Sequence, residues 1–198
     1  MIYFIYLSIF LVDQCFGQLS SIRVDRNTQQ FVDEYGRVRI FHGVNVVYKI
    51  PPFVPDLDKF DPQNSLTDDD LSNLQLWGFN VVRFYTAWMG VNPSSPDQVD
   101  QTYLDQLSRA VQMMENKGIY AILDCHQDIF SRYTCGEGVP DWLAKRLGND
   151  ILNNFPFPLA PNITREPGTN YPVIEECLKR PFFEYYFTEA VMNGFKML

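Results

Sequence analysis

The chain has 198 residues, of which 46% are hydrophobic and 15% aromatic, and a formal net charge of −8 at pH 7. A surface this negative repels phosphate polymers, and no basic run offsets it, so nucleic acid is excluded as a partner. The length suffices for a sizeable hydrophobic core, although a complete (β/α)₈ barrel usually needs about 250 residues.

The first element is an apolar run, Met1–Val12, which is too short for a comfortable membrane span and is followed by small residues up to Gly17. This pattern predicts a signal peptide over residues 1–17 and a secreted or lysosome-like protein. An uncleaved membrane anchor is the alternative, because no Lys or Arg precedes the apolar run.

Short alternating segments follow. Gln30–Val32 and Val38–Ile40 flank a turn and predict a small hairpin that plugs the bottom of a barrel. Phe41–Val47 is predicted as the first barrel strand. The Pro-rich loop after it begins at Tyr48, so Lys49 should lie at the mouth of that strand.

The next predicted unit is a helix followed by a second strand. Thr67 precedes three aspartates, a pattern typical of an N-cap and an acidic first turn. The apolar residues after it share helical spacing: Leu71, Leu74 and Trp77. Asn80–Val82 then enters the second strand, and Arg83 should lie near its mouth.

A second helix is predicted from apolar residues on one face: Leu104, Leu107, Ala110, Val111 and Met114. The third strand, Ile119–Asp128, is an apolar run that ends in titratable groups, as barrel strands do where they open into an active site. Because side chains alternate along a strand, Asp124 and His126 should share the mouth, and Cys125 should point towards the helices as a buried free thiol.

Beyond the third strand, the sequence predicts a Gly-rich loop, two helices and a long connection. Glu137 lies between two glycines of the loop and is interpreted as a solvated charge. The helices are expected at Asp141–Leu147 and Phe182–Val191. The Pro-rich stretch between them predicts an exposed loop, in which Asn162 begins an N-glycosylation sequon.

Cysteine usage points to one disulfide. Cys15 leaves with the predicted signal peptide, and if Cys125 is buried, Cys135 and Cys177 remain to pair. In a secreted chain, such a link raises the free energy of unfolding by about 2–4 kcal/mol. Three cysteines permit three pairings, so the connectivity is a hypothesis.

A metal hydrolase is an alternative interpretation of the third strand. Asp124, His126 and Asp128 could lie on one face as zinc ligands. A metal site normally draws further ligands from other strands, and the only other histidine is His42. We therefore expect neither a metal nor a cofactor.

Taken together, seven ordered motifs resemble the amino-terminal part of an endoglycoceramidase, a glycosphingolipid-cleaving member of glycoside hydrolase family 5. The match runs from about Ile22 to the end of the chain. The motifs are Phe41-His-Gly-Val-Asn45, Lys49-Ile-Pro-Pro52, Trp77-Gly-Phe-Asn-Val-Val-Arg83, Trp88-x-Gly-Val-Asn-Pro93, Gly118-Ile-Tyr120, Leu123-Asp-x-His-Gln-Asp128 and Cys135-Gly-Glu-Gly-x-Pro-x-Trp142.

The resemblance implies a (β/α)₈ TIM barrel, here reaching about three β/α units within residues 18–198, and a retaining mechanism with two glutamates. In that family the acid/base Glu follows an Asn after the fourth strand, and the nucleophile ends the seventh. No Asn-Glu pair occurs in this sequence, so no catalytic glutamate is named.

The resemblance also implies supporting residues. Arg83 matches the arginine that keeps the nucleophile ionised, and His126 matches the histidine that reaches the sugar next to the cleaved bond. Lys49 and Asp128 match positions that grip sugar hydroxyls. Trp142 is a candidate for stacking on a sugar ring, with packing as the alternative.

The resemblance thus implies a glycosidase, expected to be a monomer, that cleaves oligosaccharide from ceramide at a membrane surface and that is inactive without the glutamate pair. The alternative is a non-catalytic glycan- or glycolipid-binding protein built on a truncated barrel.

Overall fold

The computed structural model describes residues 19–128, 130–146, 164–179, 186 and 189–196. Its strands are β1 (Arg23–Val24), β2 (Phe31–Val32), β3 (Gly43–Val46), β4 (Val81–Thr86) and β5 (Tyr120–Cys125). Its helices are α1 (Asp68–Leu76), α2 (Trp88–Val91), α3 (Gln101–Asn116), α4 (Asp141–Arg146), α5 (Ile174–Lys179) and α6 (Glu189–Phe195), with a 3₁₀ turn at Arg132–Thr134.

The centre of the described chain is a parallel sheet in the order β3, β4, β5. Asn45 is in register with Arg83, and Arg83 with Ile122. Two consecutive β/α connections therefore place their strands side by side, as the sequence predicted. Parallel strands bring their C-terminal ends to the same edge, which is where the candidate site lies.

Helix α1 begins where the sequence predicted it. The Thr67 hydroxyl accepts a hydrogen bond from the Asp70 amide, and an Asp70 carboxylate oxygen accepts one from the Thr67 amide at 2.8 Å. Leu71 and Leu74 are buried, but Trp77 is 65% exposed. The inclusion of Trp77 in the apolar face was wrong, because the helix ends at Leu76 and Trp77 is its C-cap.

Helix α3 packs on the sheet through the face that the sequence predicted. Leu107, Ala110 and Met114 are buried in one cluster with Val82 of β4 and Leu71 of α1. Met113 packs at the edge of the same cluster. The methionine pair is therefore part of the hydrophobic core.

The N-terminal segment covers the lower end of the sheet, as predicted for a plug. The Tyr120 hydroxyl, at the start of β5, donates to the Ser20 carbonyl at 2.9 Å, and the Tyr120 ring contacts Phe41. The predicted hairpin is present but short. Val32 forms an antiparallel bridge with Val38, the Arg39 amide donates to the Phe31 carbonyl at 2.8 Å, and residues 33–37 form the turn around Asp33. Strand β2 also pairs with β1, which the sequence did not predict.

Strand β5 is an edge strand of the described sheet. Ile122 is 52% exposed and Leu123 57%, so both faces are open at the middle of this strand, whereas Ala121 packs against the core cluster. The free thiol of Cys125 is also exposed, which overturns the prediction of a buried cysteine. Alternation decides which face a side chain takes, but burial also requires a neighbour to cover that face.

Several predictions fall partly or wholly outside the described residues, among them the signal peptide over residues 1–17 and the sequon at Asn162. The last predicted helix, Phe182–Val191, is described only at its end, where α6 covers Glu189–Phe195. Helices α2 and α5 were not predicted. No helix among the described residues is long and apolar enough to cross a bilayer.

Candidate functional site

The ends of β3, β4 and β5 bring four predicted side chains together. Arg83 lies in β4, and His126 and Asp128 follow β5 directly. Lys49 lies three residues after the last residue of β3. Direct contacts join all four residues into one network with Asp124 and Glu137.

His126 lies at the centre of this network. Its Nδ1 atom is 2.8 Å from Asp124 Oδ2, and its Nε2 atom is 2.6 Å from Asp128 Oδ2. An imidazole with a carboxylate at each nitrogen has its ring plane fixed, and in its protonated form it donates to both. The half-buried ring also contacts the edge of the buried Tyr85 ring.

Arg83 approaches the same carboxylate from the neighbouring strand. Its Nη2 atom is 2.6 Å from Asp124 Oδ2, whereas the distance from Nη2 to His126 Nδ1 is 3.4 Å. The shorter distance and the opposite charges make Asp124 the main partner. About 42% of the Arg83 side chain is exposed, so the guanidinium can also reach a further carboxylate at the mouth.

Lys49 lies between two carboxylates. Its Nζ atom is 3.0 Å from Asp128 Oδ2 and forms a second ion pair with Glu137 Oε1. Partial burial alone would lower the pKa of Lys49, but hydrogen bonds and charge from Glu137 and Asp128 outweigh it and raise the pKa. Burial likewise opposes ionisation of Asp128, yet contacts with Lys49 and His126 lower its pKa.

Glu137 is buried, which overturns its interpretation as a solvated charge. Only 9% of the residue is exposed, and its partner is Lys49. The loop around it is folded back onto the end of β5: the Glu137 amide donates to the Asp128 carbonyl at 2.9 Å. The Cys-Gly-Glu-Gly motif drew attention to this loop, but sequence reasoning assigned the glutamate no part in the site.

The predicted disulfide between Cys135 and Cys177 is present, with an S–S distance of 2.04 Å. It links the Glu137 loop to helix α5. Cys135 itself has a positive φ of 62°, as a tight turn requires. The covalent link thus lies two residues from a side chain of the site.

Trp142 makes packing contacts and packs against the buried cluster that contains Phe130 and Val139. Its indole N–H donates to the Asn92 carbonyl at 2.8 Å, its ring meets Trp88 edge to face, and the Arg146 guanidinium lies over it. These contacts support the packing alternative, and stacking on a sugar stays a prediction.

Tyr85 is a residue of the site region that the sequence analysis missed. It is 2% exposed, and its hydroxyl has no hydrogen-bond partner among the described residues. Burial, followed by the charge of Glu137, raises the pKa of this phenol far above its ordinary value, so the phenol is neutral. Tyr85 lies two residues after Arg83 in β4 and therefore shares its face, a relation that strand alternation alone could have indicated.

The geometry also tests a metal site. Ligand atoms of His126, Asp128 and Glu137 lie within 4.8 Å of one another. Two of these three residues already pair with the Lys49 ammonium, which would repel a cation placed between them. The donor set therefore suits an ammonium-centred hydrogen-bond network better than a divalent metal.

Comparison with known proteins identifies the family of this chain. A family model described as "Cellulase (glycosyl hydrolase family 5)" matches residues 51–154. An endoglycoceramidase of Hydra vulgaris is 38% identical over 177 residues, which are 89% of this chain and 33% of that protein. One from Cyanea nozakii is 39% identical over 175 residues, covering 88% of this chain and 34% of that protein.

Among solved structures, endo-glycoceramidase II from Rhodococcus sp. matches with a TM-score of 0.56 and 25% identity, over 83% of this chain and 31% of that one. This chain thus spans about a third of the length of the curated relatives that it matches.

Proposed function

Because the chain belongs to glycosyl hydrolase family 5, we propose that it forms part of a retaining glycosidase that cleaves oligosaccharide from the ceramide of glycosphingolipids. The predicted fold class, a (β/α)₈ barrel, is confirmed by the family and the structural match, and the described sheet supplies three consecutive parallel strands. The proposed substrate rests on the similarity to endoglycoceramidases.

One observation carries the proposal: Lys49, His126 and Asp128 form a continuous hydrogen-bonded network at the C-terminal edge of the parallel sheet. This edge is where barrel enzymes bind their substrates. Half of the Asp128 side chain and more than a third of the Lys49 side chain are exposed, so both can reach a ligand. Charged donors and acceptors held in this way suit the vicinal hydroxyls of a sugar ring.

In a retaining mechanism, one carboxylate attacks the anomeric carbon while a carboxylic acid protonates the leaving ceramide oxygen. Water then attacks the anomeric carbon of the glycosyl-enzyme, the former acid, now a carboxylate, takes the proton of the water, and the nucleophile carboxylate is released. In this proposal Arg83 holds the nucleophile ionised and His126 orients the sugar next to the cleaved bond. The two carboxyl groups are not assigned to any residue of this chain.

Sugar binding without hydrolysis is the second candidate function, because the network contains residues that can bind sugar hydroxyls, whereas no residue of the chain is assigned as the nucleophile. Titrating the isotope-labelled chain with lactose and following backbone amide shifts tests the binding that both candidates share. Shifts confined to residues around Lys49, His126 and Asp128 support it, and a spectrum that lactose leaves unchanged would contradict both.

Turnover separates the two candidates. A fluorescent lactosylceramide is incubated with the chain alone and with a protein in which the chain is joined to the remaining strands of a family 5 barrel. The enzyme proposal expects release of lactose by the joined protein and none by the chain alone. No release by the joined protein, despite lactose binding, would favour the binding protein.

The proposed location is extracellular or lysosome-like, with the membrane surface as the source of substrate. The disulfide between Cys135 and Cys177 supports an oxidising compartment. The apolar run at the start of the sequence supports a signal peptide. Mass spectrometry of the mature N-terminus tests this location, and a chain that retains Met1 would contradict cleavage.

A further inference from the structure

Glu137 has no part in the proposed reaction, yet it is the most buried carboxylate of the network. Its side chain is 12% exposed, compared with 49% for Asp128 and 22% for Asp124. A buried carboxylate costs free energy unless an opposite charge and hydrogen bonds compensate it. The Lys49 ammonium supplies that charge.

The two partners of Lys49 therefore differ in kind. Glu137 is held inside the protein, whereas Asp128 faces solvent and also contacts His126. An ammonium has three N–H donors; one is donated to Asp128, and the ion pair with Glu137 occupies a second side of the ammonium without hydrogen-bond geometry at Glu137 Oε1. One donor remains for a ligand, provided that Lys49 stays at the mouth.

The backbone fixes the Glu137 carboxylate in place. The Glu137 amide donates to the Asp128 carbonyl, and the Val139 amide donates to the Phe130 carbonyl at 2.6 Å. Gly138 allows this close approach, because a Cβ there would lie 2.7 Å from the Phe130 oxygen. The disulfide at Cys135 adds a covalent restraint on the same loop.

We propose that Glu137 is a positioning residue, whose buried carboxylate holds the Lys49 ammonium at the mouth so that Lys49 and Asp128 present a donor and an acceptor to one sugar ring. The nature of the ligand rests on the proposed function, but the ion pair does not. Glu137 itself does not touch the sugar. It determines where the lysine points.

The experiment measures how fast Lys49 is acetylated in the folded chain. Wild type and variants are treated briefly with the N-hydroxysuccinimide ester of acetic acid, and each lysine is quantified by peptide mass spectrometry. Glu137→Gln keeps the shape and removes the charge, whereas Glu137→Asp keeps the charge. Glu34→Gln is the matched control, since Glu34 is exposed, and the exposed Lys59 is the internal reference.

Loss of the Glu137 charge should raise the Lys49 acetylation rate about three- to tenfold, because a free amine becomes more accessible when a close opposite charge is removed. Glu137→Asp should restore part of the wild-type protection. Asp128→Asn should raise the rate less than Glu137→Gln, because Asp128 is the more solvated partner. Lys59 should react equally in all variants.

Three results would overturn the proposal: an unchanged Lys49 rate in Glu137→Gln, a larger effect of Asp128→Asn, or a parallel rise at every lysine, which would indicate a general structural role. Lactose titration of the same variants distinguishes this inference from the proposed function. If wild type fails to bind lactose, the proposed function fails, whereas the order of the Lys49 rates still decides the role of Glu137.

Discussion

The Nε2 atom of His126 lies 2.6 Å from Oδ2 of Asp128, so the ring and the carboxylate act as one unit at the end of β5. Replacing His126 by Ala removes this unit but leaves Asp124 paired with Arg83 and Asp128 paired with Lys49. The chain should stay folded, while the Kd for lactose rises about 10- to 100-fold, the effect of losing one or two charge-assisted hydrogen bonds.

Isothermal calorimetry measures the affinity, and urea unfolding checks the fold. His42→Ala is the control: His42 contacts the Phe79 ring away from the network. It should leave lactose binding intact. Equal losses of affinity in the two histidine variants would show that His126 does not contact the sugar.

Stability should depend on pH through Asp128 and Lys49. The pKa of Asp128 is lowered from 3.8, so its contribution is present above that pH and is lost as the pH falls through the lower folded value. The pKa of Lys49 is raised from 10.5, so its contribution is present below that pH and is lost as the pH rises through the higher folded value.

Urea unfolding from below pH 3.8 to above pH 10.5 measures the loss of stability on the acid side, the acid arm of the profile, and on the alkaline side. Asp128→Asn should make the acid arm less steep without abolishing it, because the pKa values of Asp33, Asp56 and Asp58 are also lowered. Asp97→Asn, at an exposed position, should leave the profile as in wild type. An acid arm of unchanged steepness in Asp128→Asn would contradict the assignment to this carboxylate.

The disulfide should contribute measurably to stability. Cys177→Ser opens a loop with a sequence separation of 42 residues, and the free energy of unfolding should fall by about 2–4 kcal/mol. Cys125→Ser is the matched control, because that thiol is free and exposed, and its effect should stay within about 0.5 kcal/mol.

Iodoacetamide labelling without denaturant checks the same assignment. Cys125 alone among the described cysteines should react. Modification of Cys135 or Cys177 in the native, unreduced chain would rule out the pairing.

Arg83 should matter more for turnover than for binding. In the protein in which the chain is joined to the remaining strands of a family 5 barrel, Arg83→Ala should lower kcat. The loss should correspond to several kcal/mol of transition-state stabilisation, as the removal of preorganised charges often does. Arg83→Lys should recover only part of this loss, because an ammonium lacks the guanidinium fork. Steady-state kinetics on fluorescent lactosylceramide provides the values, and a change in KM alone would assign Arg83 to substrate binding instead.

The convergence of Lys49, Arg83, His126 and Asp128 could be predicted because parallel strands end at one edge and alternation fixes their faces. The role of Glu137 could not be predicted, since its burial depends on a loop that folds back through backbone hydrogen bonds. The exposure of Cys125 escaped prediction for a related reason. A strand pattern does not reveal which neighbour, if any, covers each face.

The disulfide beside Glu137 bears on how the protein should be produced. In the reducing cytoplasm of a bacterial expression host, Cys135 and Cys177 would remain thiols, and the segment carrying Glu137 would lose its tether to α5. Material made there could keep an intact sheet and still lack an ordered mouth. Export to the periplasm would deliver the crosslinked form.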